Sequence, residues 1–156
     1  MAKILIVCTA NICRSPVVEA LIRRKLEEVG VDGVEVTSGG FLEDGYEASV
    51  GSRRVLASYR GLDLSLHRSH RLRGEDVLSS DLILCMEKRH AEALERFGPG
   101  LSSRIFRLAE MAGEPRDVED PHGGPLVGYE RMVREVDGLV ERGWDEILRR
   151  LGISST

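Results

Sequence analysis

The sequence predicts an α/β fold, a single domain over residues 1–156 built as a four-stranded parallel sheet with helices on both faces. Three observations predict it. Short, β-branched apolar runs such as KILIV and DLILC are bounded by turn residues, as buried strands are. Between them lie longer segments whose apolar residues recur at helical spacing. The two kinds alternate along the chain, the pattern of parallel strands joined by right-handed crossovers.

Each element follows from its residues. Lys3–Val7 (KILIV) is apolar and β-branched, a buried strand. Pro16 suits a first helical turn, where its missing N–H costs little, and VVEALIRRKLEEV continues that helix. GVEVTSGG (Gly33–Gly40) reads as the second strand, Phe41–Glu47 as a polar loop, and Ala48–Tyr59 as a helix. RGEDVLSS suggests a short helix, DLILCM the third strand and EKRHAEALERF the helix after it. SSRIFRLAEM holds the fourth strand. A final helix starts near Tyr129 and carries an apolar stripe from Met132 through Trp144 to Leu151, the mark of core packing. No internal repeat, linker or low-complexity tract interrupts this order.

Composition narrows the class. Apolar content of 42% and charged content of 31% suit a globular domain of this length. A net charge of −4 argues against general nucleic-acid binding. No apolar stretch is long enough to span a membrane, and the N-terminus enters a strand directly, without a signal peptide. Three cysteines, an odd number, suit a reducing cytoplasm. Oligomeric state is not legible.

The chemistry concentrates in VCTANICRSP. Cys8 and Arg14 stand in a C-x5-R spacing where a strand hands over to a helix. Unpaired backbone N–H groups at such a junction form a nest for anions, so residues Thr9, Ala10, Asn11, Ile12, Cys13, Arg14 and Ser15 are expected to cradle phosphate. A free thiol is mostly protonated at neutral pH, but helix N-termini and nearby cations favour the thiolate. The thiolate is the expected resting form of Cys8, a nucleophile for phosphorus. The planar fork of Arg14 can take two phosphoryl oxygens at once. Ser15 could hydrogen-bond the sulfur and help it leave. Cys13, five residues from Cys8, could form a reversible disulfide with it or serve as a small buried residue.

Cleaving a phosphate ester also needs a proton for the leaving oxygen. Residues 116–125, RDVEDPHGGP, read as a loop because proline and glycine punctuate it. Asp120 on that loop is the candidate acid, and Asp117 the second choice.

Taken together, VCTANICRSP, DLILCM and the late Asp120-Pro121 pair resemble the low-molecular-weight protein tyrosine phosphatases over nearly the whole chain. That resemblance implies a phosphocysteine at Cys8, a phosphate clamp at Arg14, and Asp120 as general acid and then base. It also places Asn11, Ser15, Ser38 and His67 in a polar network that holds the loop, and supports the redox role of Cys13. It implies a phosphorylated protein or peptide as substrate and calls for no metal or cofactor.

The departures matter. Ala10 replaces the family's usual glycine, adding a Cβ where positive φ could be needed. His122 replaces the usual aromatic, and His70 stands where the family often has arginine. Phe41, Tyr46 and His122 are the candidate pocket walls.

The alternatives differ in class. Arsenate reductases on this scaffold need two relay cysteines, whereas only Cys85 lies outside the loop, in an apolar run. Protein-arginine phosphatases tend to carry threonine at the position of Ile12. An apolar Ile12 leaves a guanidinium substrate without that hydrogen bond and favours a phenolic leaving group, although DPHGGP is similar to the loop of that subgroup. A phosphate-binding module without turnover would need none of the acid chemistry that is present. A zinc site at Cys8 and Cys13 lacks a second ligand pair, and a nucleotide-binding Rossmann reading lacks its glycine fingerprint.

Overall fold

A computed structural model describes residues 1–153. Strands β1 (Ala2–Val7), β2 (Val34–Gly39), β3 (Leu82–Cys85) and β4 (Ile105–Arg107) form one parallel sheet in the order β2-β1-β3-β4. Ile4 lies opposite Val36 on one side and Leu82 on the other, and Leu84 opposite Phe106. The helices are α1 (Ser15–Val29), α2 (Val50–Arg60), α3 (Gly74–Leu78), α4 (Lys88–Glu95), α5 (Leu126–Arg142) and α6 (Trp144–Arg150).

Two cores follow from the alternation of side chains along the strands. Ile4 and Ile6 of β1 and Leu82 and Leu84 of β3 share one core with α1, α2, α5 and α6. Leu5, Val7, Ile83 and Cys85 join the other with Val77 of α3 and Leu94 of α4. β1 and β3 are covered on both faces, which is why their sequences read as unbroken apolar runs. α1 starts on Ser15-Pro16 and stops at Gly30, whose φ of +72° lets its N–H return to the carbonyls of Leu26 and Glu27.

Two expectations need correction. The last helical segment begins at Leu126, directly after Pro125, rather than near Tyr129. It is also two helices, broken at Gly143. The apolar stripe continues across the break because both helices cover the same core, and periodicity alone could not reveal it. A Cβ on Gly143 would lie 2.8 Å from Cβ of Met111 and 2.9 Å from the Leu139 carbonyl oxygen. Gly143→Ala is therefore expected to lower stability by about 1–3 kcal/mol, read as a drop in the urea midpoint at unchanged slope.

Candidate active site

β1 lies between β2 and β3, so the loop after it opens at the point where strand order reverses, where open α/β sheets bind ligands. That loop, residues 8–14, is pinned from β2: Cys8 N donates to the Gly39 carbonyl at 3.3 Å, and Phe41 N donates to the Thr9 carbonyl at 2.7 Å. Gly40 lets the backbones approach. A Cβ there would sit 2.8 Å from the Thr9 carbonyl oxygen and 2.9 Å from Asn11 N. The loop's left-handed residue is Asn11, at φ +59°, and it is the only non-glycine with positive φ among the described residues. Ala10 does not need glycine's freedom here. Asparagine tolerates the left-handed region better than most residues, so the turn falls one position later than the family comparison suggested.

Asn11 holds the loop through every polar atom of its side chain. Its Nδ2 donates to Ser15 Oγ at 2.7 Å and to Ser38 Oγ at 2.9 Å, while Oδ1 accepts from His70 N at 2.9 Å. Its carbonyl accepts from His67 Nε2 at 2.7 Å. An amide nitrogen only donates, so the Ser15 hydroxyl accepts there and has its proton free for the Cys8 sulfur, 3.0 Å away. Ser15 N adds a longer contact to that sulfur at 3.4 Å. Ser38 hands its own proton to Glu19 Oε1 at 2.6 Å, and Arg23 pairs with that carboxylate. Ser38 and His67 thus sit in the expected network. Glu19 and the backbone of His70 belong to it too, although nothing in their sequence spacing marked them.

Arg14 is 1% exposed. Its Nη1 donates to Glu87 Oε2 at 2.6 Å and to the Val118 carbonyl at 2.7 Å. On the opposite edge, Nη2 lies 3.5 Å from Asp120 Oδ2, and Nε is buried with no hydrogen-bond partner. Burial alone would raise the Glu87 carboxyl, but hydrogen bonds from Arg89 and Arg14 draw it down to about 2. A buried, unpaired guanidinium N–H costs about 1–3 kcal/mol, and an anion between Nε and Nη2 would remove that cost.

The loop and the segment after β4 enclose a small cavity of about 110 Å³. Residues 8–10 and 12–14 line it together with Leu42, Asp120 and His122. The structure therefore brings Cys8, Arg14 and Asp120 to one cavity. Asn11 and Ser15, expected against phosphate as well as in the network, do not line it; their side chains are committed behind the loop. Of the candidate walls, His122 lines the cavity. Phe41 instead stacks on His90 at 5.8 Å, and Tyr46 is exposed away from the cavity. Leu42 takes the wall position, and a lone leucine in a polar loop gave no signal for that.

Asp117, the second candidate acid, is engaged elsewhere: its Oδ1 accepts from Lys88 N at 2.9 Å and Arg107 Nη1 at 3.2 Å. Asp120 is more than a third exposed, and its Oδ1 caps His122 N at 3.0 Å. All three cysteines are thiols. Burial raises the Cys13 thiol against the hydrogen bond from Ser49, and pushes the Cys85 thiol up to about 12. Cys85 belongs to the core on the other face of the sheet from Cys8, so it offers no relay thiol.

A family model described as low molecular weight phosphotyrosine protein phosphatase matches residues 3–152. The chain belongs to that family of cysteine-dependent phosphatases. It is 36% identical over 153 residues to a probable low molecular weight protein-tyrosine-phosphatase, EpsP, of Ralstonia nicotianae, covering 96% of this chain and 97% of the relative. It is also 37% identical over 143 residues to a protein-arginine-phosphatase of Geobacillus stearothermophilus, covering 90% and 92%. Among solved structures it resembles the low molecular weight protein tyrosine phosphatase of T. tengcongensis, with a TM-score of 0.88 at 36% identity over 94% of this chain and 99% of that one. The fold is therefore that of the family, and the chain is a protein phosphatase acting on phosphorylated protein.

His90 offers a test of the electrostatics around Arg14. Burial and the Arg14 cation lower its ring to about 4 from an ordinary 6.5. Between those values the unfolded chain binds more protons than the folded one, so stability falls as pH drops through that window. Urea unfolding between about pH 7 and pH 4 should show the decline, and His90→Gln should flatten it.

Proposed function

We propose that the protein hydrolyses phosphotyrosine and related aryl phosphates through a phosphocysteine on Cys8. The observation that carries this reading is the buried, unpartnered Nε of Arg14, a residue that lines the same cavity as Cys8, with apolar walls at Ile12 and Leu42. Two phosphoryl oxygens rest on Nε and Nη2 of Arg14, and the third on backbone amides of the cavity-lining residues 9, 10 and 12–14. The Cys8 sulfur attacks phosphorus in line, the P–O bond to the phenol breaks, and Asp120 gives its proton to the departing oxygen. A water then attacks the phosphocysteine, Asp120 takes the water's proton, and phosphate leaves as sulfur departs toward the Ser15 hydroxyl. The buried guanidinium attracts negative charge, which increases at the phosphoryl group as sulfur approaches. The odd number of cysteines, three, supports action in a reducing cytoplasm.

Asp120→Ala is expected to slow phosphotyrosine hydrolysis by about 10²–10⁴-fold. Activated aryl phosphates, whose phenols leave without a proton, should be slowed less. Comparing initial rates on phosphotyrosine and p-nitrophenyl phosphate measures the difference, and equal losses would remove Asp120 from the acid's role.

A second reading, phosphoarginine hydrolysis, draws support from the Geobacillus relative and from the DPHGG loop. Ile12 speaks against it, since an apolar wall leaves a guanidinium leaving group without a hydrogen bond, worth about 1–3 kcal/mol. Phosphate release from matched phosphotyrosine and phosphoarginine peptides should favour the former. Ile12→Thr should move the ratio toward phosphoarginine.

A further inference from the structure

Thr9, next to Cys8 on the cavity wall, carries a hydroxyl surrounded only by donors. His90 Nδ1 lies 3.1 Å from the backbone N of Glu87, and an amide N–H can only donate. The ring's single proton therefore sits on Nε2, which donates to Thr9 Oγ1 at 2.9 Å. Arg89 Nη2 donates to the same oxygen at 2.8 Å, and Arg14 Nη2 faces it at 3.4 Å. A hydroxyl oxygen has two lone pairs, and His90 and Arg89 fill them. Among the described residues, the hydroxyl proton has no acceptor.

His90 is not in this position by accident of the surface. It is 2% exposed, closes a capping interaction with Glu87 at the start of α4, and is stacked under Phe41. Arg89 is exposed, and its Nε is held by Glu87 Oε1 at 2.8 Å. Glu87 thus fixes three things at once: the Arg14 fork, the Arg89 side chain and the His90 tautomer. The one donor this cluster leaves unassigned stands 3.4 Å from the Nη2 edge of Arg14.

We propose that His90 is a positioning residue, holding the Thr9 hydroxyl so that its proton is donated to the phosphoryl oxygen seated on Nη2 of Arg14. This rests on the phosphatase reading above and adds a side-chain contact to the backbone cradle. The contact exists in bound phosphate as well as in the transition state, so its loss should weaken binding more than it slows the chemical step.

The test compares the parent protein with Thr9→Val, Thr9→Ala and Thr9→Ser. The readouts are competitive inhibition by inorganic phosphate, and kcat and KM on p-nitrophenyl phosphate. Melting temperatures show which variants are folded. The valine and alanine variants should each weaken phosphate inhibition by about 10- to 100-fold, as expected for a hydrogen bond to a charged group. Serine should stay within about threefold of the parent, and KM should rise more than kcat falls. His90→Leu should reproduce the alanine effect on phosphate inhibition. His90→Gln, which keeps an N–H donor, should recover part of it.

Phosphate inhibition unchanged in a folded valine or alanine variant overturns the inference. So does a serine variant as poor as alanine. A loss confined to kcat on p-nitrophenyl phosphate, with KM and phosphate inhibition unchanged, also overturns it. A parent protein that neither hydrolyses aryl phosphates nor is inhibited by phosphate would remove the phosphatase reading itself, and this inference with it.

Discussion

The site depends on one ion pair, the buried Arg14 with the partly buried Glu87. Glu87 follows β3, and Val118, whose carbonyl shares Nη1, lies on the segment after β4. Segments that follow three strands of the sheet therefore converge on one guanidinium. Such a pair is weak evidence for stability, since taking the Arg14 guanidinium out of water costs several kcal/mol. Its consequence is geometric. Nη1 is tied back to Glu87 and Val118, which leaves Nη2 on the side of Asp120, at the cavity that Cys8 also lines.

A second constraint acts on the loop itself. Seven residues must turn tightly enough to bring a sulfur and a guanidinium to one cavity, and Asn11 accepts the left-handed conformation that this requires. Its side chain then imposes direction on the hydroxyls around it. Because Nδ2 can only donate, Ser15 is left facing sulfur with a proton and Ser38 is left facing Glu19 with one. The same valence logic on the opposite wall assigns the His90 proton to Nε2. Fixed dipoles of this kind need not reorganise when charge develops, which is how a small site can stabilise an anion.

The parts of this arrangement that were legible in the sequence are those encoded locally. β1 and β3 were readable because both faces are buried and their residues run apolar without interruption. The loop was readable because a thiol, a guanidinium and a helix-starting proline follow one strand within ten residues. The break at Gly143 was not readable, since α5 and α6 present a continuous apolar stripe to one core. Nor were Glu87 and His90, which meet the loop across the sheet, as partners separated from Arg14 and Thr9 by 73 and 81 positions. Phe41 shows the opposite error: an aromatic on a loop near the site drew attention, yet it packs inward on His90 while Leu42 takes the wall.

What the whole account requires is that the sulfur at position 8 carries the phosphoryl group during turnover. Acid quenching of the protein while it hydrolyses an aryl phosphate, followed by peptide mass spectrometry, tests this directly. A phosphate adduct is expected on the peptide containing Cys8 and none from Cys8→Ser. Steady turnover by Cys8→Ser at the parent rate, or turnover by the parent with no adduct at any quench time, would contradict it.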